Sequence, residues 1–216
     1  MIVTIDGPAG AGKSCAAKAL SERLRFRFLD TGAMYRAIAW AARQHAIPCN
    51  EPALLEEFAL GLDIEMRDDR IILNGDDITD SIRNSEVTAL VKPIADHAGI
   101  RRHLISLQRQ MAAKGDVVTE GRDQGTIAFP EAECKIYLTA SAEERARRRH
   151  ADLLAKGEDI SLEEVLRRQN ARDARDQERE FGRLEPAADA IHVTTDGLSP
   201  QEVVEKIEAL VRERMD

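Results

Sequence analysis

The sequence predicts an α/β protein built on a parallel sheet flanked by helices, with a small antiparallel insertion. Three observations carry that reading. Short apolar runs alternate with helical patterns from the N-terminus: residues 2–5, then 13–24, then "FRFLD" at 26–30, then "TGAMYRAIAWAARQHA". Strand, helix, strand and helix at this spacing is the pattern of parallel βα units. A glycine-rich stretch, "GPAGAGKS", joins the first strand to the first helix. Residues 62–82, "LDIEMRDDRIILNGDDITDSI", follow a different pattern. Their short alternating runs are separated by "RDD" and "NGDD", which are hairpin-type turns.

Each element has its own justification. The first helix places Ala16, Leu20 and Leu24 on one face. Asn84 or Ser85 is a cap for the helix after the insertion, and Pro93 is expected to break it. The stripe Ile100, Leu104, Leu107, Met111 marks another amphipathic helix. A strand at 116–119 leads into "EGRDQGT", 120–126, which sets Arg122 and Asp123 between two glycines, and "CKIYL" at 134–138 is the next strand. Residues 141–144 and 161–164 both read S-x-x-E, a capping-box pattern that opens a helix. Between 141 and 180 stand 10 basic and 11 acidic residues, too many for a core, so this stretch reads as a solvated, mobile helical pair. "AIHVTT" is the last strand, and Ser199-Pro200-Gln201-Glu202 opens the C-terminal helix.

Bulk properties narrow the function. A chain of 216 residues is long enough for one well-buried core. With 43% hydrophobic and 32% charged residues and no low-complexity tract, it is not a disordered chain. A net charge of −8 excludes a dominant basic footprint for nucleic acid. Cys15, Cys49 and Cys134 are odd in number and lack metal-ligand spacing, which points to reduced thiols and a cytoplasmic protein. "MIVTIDG" is not a signal peptide, and no apolar run approaches the roughly 18–20 residues of a membrane span. The balanced charge and single core point to a monomer.

The chemistry begins at Gly7, Pro8, Ala9, Gly10, Ala11, Gly12, Lys13 and Ser14, which fit the P-loop pattern G-x-x-x-x-G-K-[ST] between a strand and a helix. Glycines let backbone N–H groups turn toward phosphate oxygens, and the helix N-terminus adds a favourable dipole. Lys13 suits the β- and γ-phosphates, and Ser14 suits Mg²⁺, directly or through water. The motif implies a nucleoside triphosphate and leaves open what receives the phosphoryl group. Arginine pairs bidentately with phosphate, and Arg36, Arg122, Arg148, Arg149, Arg172 and Arg179 stand after strands or in the charged helical pair. Loops at the carboxyl ends of parallel strands share one crevice, so residues 7–14, 30–36 and 120–126 are expected to converge. Asp30 either orients Mg²⁺-bound water or caps the helix after it.

"TIDGPAGAGKS", "LDTGAMYRA", "EGRDQGTIAFPEAECKIYLTASAEERARRR" and "RRQNARDARDQER" together resemble the bacterial cytidylate kinases, within the P-loop nucleoside monophosphate kinase group, over essentially the whole chain. The resemblance implies a single kinase domain over 1–216, with a core at about 1–58, 99–141 and 181–216. It also implies an insertion in the monophosphate-binding region at about 59–98 and a helical lid at about 142–180. It implies transfer of the γ-phosphoryl of ATP, with Mg²⁺, to CMP or dCMP.

By position, Arg122, Arg36 and Arg179 would hold the acceptor phosphate, and Asp123 would reach the cytosine. Arg101 would contact the base. Arg172 and Asp176 would lie near the sugar, Arg148 near the ATP phosphates, and Thr31 on the acceptor. Cys15 would extend the phosphate loop where the family often carries threonine. Lys92 stands where the family usually has a serine that helps read cytosine, and a donor-only lysine tolerates the O4 of uracil. "DHAGIRR" lacks the proline usual before the Arg101 segment. The rivals are a P-loop kinase for UMP, AMP or shikimate, and a nucleotide switch. A GTPase switch would need an N-K-x-D segment, which the chain lacks.

Overall fold

A computed structural model describes residues 1–67, 69–155 and 157–215. In chain order the elements are β1 (Ile2–Asp6), α1 (Lys13–Leu24), β2 (Arg27–Asp30), α2 (Thr31–Gln44), α3 (Pro52–Leu60), β3 (Ile64–Arg67), β4 (Arg70–Leu73) and β5 (Asp76–Asp77). There follow α4 (Ser85–Asp96), α5 (Ala98–Ala112), β6 (Val117–Gly121), a π-helical turn (Gln124–Ala128), β7 (Cys134–Thr139), α6 (Ala142–Ala155), α7 (Leu162–Glu178), β8 (Ile191–Thr194) and α8 (Pro200–Arg212). The chain forms two compact units, residues 1–26 with 116–216 and residues 27–115.

In the first unit the strands run β6-β1-β7-β8, all parallel. A parallel sheet is covered on both faces, so its strands read as continuous apolar runs. Val3, Ile5, Val118, Leu138 and Val193 are accordingly buried without measurable exposure. α1 packs on β6 and α8. The pairing of Asp6 with Gly121 brings the carboxyl ends of β1 and β6 side by side, which fixes where the phosphate loop and the 122–128 turn begin. α6 and α7 pack on each other around Ala146, Leu153 and Val165, with Ile160 and Leu166 against them. The charged stretch therefore has a small apolar seam of its own.

Only one of the three S-x-x-E patterns closes as a reciprocal box. Ser199 and Glu202 form it in full. Ser141 and Ser161 accept the N–H of Glu144 and Glu164, but both glutamates turn to arginines one turn on: Glu144 to Arg147 and Arg148, Glu164 to Arg167 and Arg168. The Ser141 N–H goes instead to Asp196.

The second unit carries the antiparallel sheet β3-β4-β5. Its Asn74-Gly75 turn has both residues at positive φ, 51° and 92°, as a two-residue type I′ hairpin requires. The other turn, "RDD", includes Asp68, which lies outside the described residues. The alanine-rich face of α2 packs against α4. Asn84 caps α4 by accepting the N–H of Val87 at 2.8 Å.

Two corrections belong here. Pro93 does not break α4, which continues through it to Asp96. The ring removes one interior hydrogen bond, but the helix is anchored on either side of it by Val87 and Ile94, both fully buried. The sequence also hides α3. Its nine residues are apolar almost all round and Glu51 supplies no side-chain cap, so the only start signal is Pro52 at the first helical position.

An interior proline costs about 3 kcal/mol relative to alanine in a helix. Pro93→Ala is therefore expected to stabilise the protein by about 1–3 kcal/mol, and Asn84→Ala to destabilise it by about 1 kcal/mol. Urea denaturation of both variants checks the pair. A destabilised Pro93→Ala protein would mean that the ring packs against something worth more than the lost hydrogen bond.

Candidate functional site

The first unit brings together the phosphate loop, the 122–128 turn and α7. Gly7, Gly10 and Gly12 all have positive φ. A Cβ on Gly7 would lie 1.9 Å from the carbonyl oxygen of Leu138, so the loop passes β7 at a distance only glycine permits. Lys13 opens α1 and its ammonium donates to the carbonyl oxygen of Pro8 at 2.8 Å. Burial lowers its pKa to about 7, and Arg122 and Arg172 push the same way against Glu120 and Asp6. The Ser14 hydroxyl donates to Glu120 Oε1 at 2.9 Å.

Asp6, at the end of β1, is a site residue that motif reading passed over. Its carboxylate accepts the N–H of Gln124 at 2.9 Å and of Gly125 at 2.7 Å. Burial raises its pKa to about 7, against the two N–H bonds that lower it, with Asp123 adding to the rise and Lys13 opposing it. Thr119 Oγ1 donates to Gln124 Oε1 at 2.8 Å. The flanking glycines of "EGRDQGT" sit in close quarters. A Cβ on Gly121 would meet the Gln124 side chain at 2.8 Å, and one on Gly125 would meet Thr4 Oγ1 at 3.0 Å. The charged pair therefore sits on a closely packed, hydrogen-bonded turn.

Arg122 Nε donates to Asp176 Oδ2 at 3.0 Å, and Arg179 donates to Asp176 Oδ1 at 2.7 Å. Burial would raise the Asp176 carboxyl, but Arg122, then Arg179 and Arg172, reverse this and hold it below its usual range. Burial lowers the Arg172 guanidinium to about 10, helped by Arg122. Asp123 is buried beside them. Arg122, Asp123, Arg172, Asp176 and Arg179 thus form one group. Arg148 is held elsewhere, with its donors on the Thr195 hydroxyl and carbonyl, both at 2.9 Å, and on Glu144. Cys15 follows Ser14 as an exposed residue of α1.

The second unit holds the remaining residues. Asp30 caps α2 by accepting the N–H of Ala33 at 2.9 Å, and it pairs with Arg36 at 3.0 Å. Arg36 Nε is buried without a hydrogen-bond partner among the described residues. Thr31 is buried at the start of the same helix. Arg101 is buried, lies 5.5 Å from the centroid of the Tyr35 ring and donates to the Ala95 carbonyl. Lys92 is exposed on α4. Among the described residues there is no cluster of three His, Cys, Asp or Glu suited to a metal, and no helix long and apolar enough to cross a membrane.

Comparisons with known proteins identify the family. The family model for cytidylate kinase matches residues 3–213. A cytidylate kinase of Rhodopirellula baltica is 52% identical over 213 residues, covering 99% of this chain and 93% of that protein. One from Carboxydothermus hydrogenoformans is 45% identical over 220 residues, covering 100% and 99%. A crystal structure of TT1252 from Thermus thermophilus matches with a TM-score of 0.52 at 20% identity, over 99% of this chain and 97% of that one, a likeness of fold.

The depressed Lys13 pKa gives a test of the cradle. A polyanion beside Lys13 restores its charge, so binding inorganic tripolyphosphate at pH 8 is expected to take up close to one proton at the protein. At pH 6, where the lysine is already charged, uptake should be small. Calorimetry in buffers of different ionisation enthalpy measures this, and equal uptake at both pH values would contradict it.

Proposed function

The chain belongs to the cytidylate kinase family, and from that premise we propose how its residues transfer the γ-phosphoryl group of ATP to CMP or dCMP. The protein is an ATP-dependent nucleoside monophosphate kinase. The observation that carries the residue assignment is the hydrogen bonding of Asp6 to Gln124 and Gly125. It ties the end of the phosphate-loop strand to the turn that bears Arg122 and Asp123.

The acceptor is already an anion, so the reaction needs no general base. Positioning and charge neutralisation carry it. Residues 7–15 cradle the donor, with Lys13 on its terminal phosphates. Arg122 and Arg179, preorganised on Asp176, receive the acceptor phosphate, with Arg172 and Asp176 toward the sugar. A carboxylate only accepts hydrogen bonds, which suits Asp123 to the N4–H₂ group of cytosine. Thr31, Arg36 and Arg101 are assigned to the acceptor as well, and the unpartnered Nε of Arg36 supports its part. Arg148 serves the donor phosphates once its contact with Thr195 opens. The helical pair at 142–180 closes over the substrates and excludes water.

The Ser14 hydroxyl and Glu120 carboxylate, 2.9 Å apart, are hard oxygen ligands that fit Mg²⁺ held mainly by substrate phosphates and water. Bound there, Mg²⁺ would supply neutralisation of the charge on the donor phosphates. The cytoplasmic, monomeric state expected from composition is part of the same proposal.

ADP formation from Mg·ATP with CMP, dCMP, UMP, AMP, GMP or shikimate, and with no acceptor, tests the reading. Fast turnover on CMP and dCMP alone is expected. Equal turnover on UMP would assign a relaxed base choice to this chain, and turnover without any acceptor would contradict the proposal. Arg122→Ala is expected to lower kcat/KM for CMP by about 10²–10³, the usual effect of removing one charge-stabilising donor, while the protein stays folded. Near-normal turnover would remove Arg122 from the acceptor site.

A further inference from the structure

Arg145 and Asp173 stand inside the quoted segments but were assigned no role there, yet together they hold the backbone of a phosphate-loop residue. Arg145 lies in the first turns of α6 and Asp173 lies midway along α7. Arg145 Nη1 donates to Asp173 Oδ2 at 2.6 Å and to the carbonyl oxygen of Ala9 at 2.9 Å. Its Nε donates to the carbonyl oxygen of Ala140 at 3.0 Å, just beyond β7. Asp173 Oδ1 in turn accepts the N–H of Ala9 at 3.3 Å. The ion pair thus closes on a single loop residue, holding both polar groups of its backbone. Side-chain exposures of 8% and 12% put the pair largely out of water.

Neighbouring residues fit the same purpose. A Cβ on Gly10 would lie 3.2 Å from Arg145 Cβ and 3.4 Å from Gln169 Oε1, so the loop approaches the helical pair closely there. Gln169 Nε2 donates to the Ala142 carbonyl oxygen at 3.0 Å and links α7 to the start of α6.

A buried ion pair contributes little net stability, because desolvation offsets its Coulomb gain. Its consequence here is geometric. Ala9 lies in the span between two glycines of positive φ, where the backbone has several conformations open to it. The pair selects one.

We propose that Arg145 and Asp173 are positioning residues that latch the helical pair α6–α7 onto Ala9, so that the phosphate loop holds its donor-binding shape only while the pair is docked. This rests on the kinase reading above in assigning the donor to that loop. The latch is set apart from Lys13 and Arg122 because neither of its members needs to touch a substrate.

Removing one partner alone leaves a buried unpaired charge, which is expected to cost several kcal/mol. The informative variant is therefore the double apolar replacement Arg145→Met with Asp173→Leu, accompanied by Asp173→Asn. In the folded double variant, exchange of the Ala9 amide in the nucleotide-free protein should become at least about tenfold faster, the protection of one modest hydrogen bond. KM for ATP should rise about tenfold, with KM for CMP within about twofold of the parent. Asp173→Asn keeps an acceptor for the Ala9 N–H and should show a smaller rise in KM for ATP.

Unchanged Ala9 exchange together with unchanged KM for ATP in a folded double variant would overturn the latch. Equal rises in both KM values would also overturn it, because they would indicate general loosening. The exchange measurement needs no acceptor, so it judges the latch even if the parent protein proved inactive on CMP.

Discussion

The carboxylate of Asp6 is the group on which the rest of the site depends. β1 and β6 are parallel neighbours, and the register sets Asp6 beside Gly121. The N–H groups of Gln124 and Gly125 then turn back onto Asp6. Without that carboxylate two buried donors would lose their partner, at roughly 1–3 kcal/mol each. Asp6 does not repay this in pH-independent stability. Burial raises its pKa from 3.8 to about 7, so the folded protein binds the proton more tightly than the unfolded chain. Its contribution to stability therefore falls as pH rises through that window. What it supplies is alignment: one side chain fixes the phosphate loop and the acceptor turn in the same frame.

Charge follows from that alignment. With the turn fixed, Arg122 meets Asp176, and Asp176 also holds Arg179, with Arg172 close by. Lys13 feels Arg122 and Arg172 as well as its own burial. The first unit therefore sets Lys13, Arg122, Arg172 and Arg179 close together, and the buried carboxylates among them leave Lys13 and Arg172 with lowered pKa values. Phosphate groups relieve this mutual repulsion, so much of the affinity for anions is installed when the chain folds.

What the sequence disclosed, and what it withheld, divides along physical lines. Signals that act over a few residues were legible: the Asn74-Gly75 turn, the Asn84 cap, the full capping box at Ser199, and the glycine-rich loop between β1 and α1. Signals that compete locally misled. Pro93 reads as a breaker, yet Val87 and Ile94 anchor the helix on either side of it. Glu144 and Glu164 read as capping-box partners, yet arginines one turn on take them.

Residues whose partners lie far along the chain were invisible. Asp6 reaches Gln124 across 118 positions, and Ser14 reaches Glu120 across 106. Both Asp6 and Glu120 stood inside quoted motifs, but nothing local says that one will receive the turn and the other the hydroxyl. Arg145 and Asp173 stood among many charges, where no spacing rule separates a buried pair from a solvated face.

The most direct test of this account is Asp6→Asn. The amide keeps the shape and one acceptor oxygen but replaces the other with a donor that faces the turn. The account predicts a folded protein whose nucleotide binding, read with a non-hydrolysable ATP analogue, stays within a few-fold of the parent, while kcat/KM for CMP falls by about 10²-fold, the usual effect of misplacing a reacting group by about an ångström. Turnover on CMP within twofold of the parent would contradict it, and the alignment of loop and turn would have to come from elsewhere.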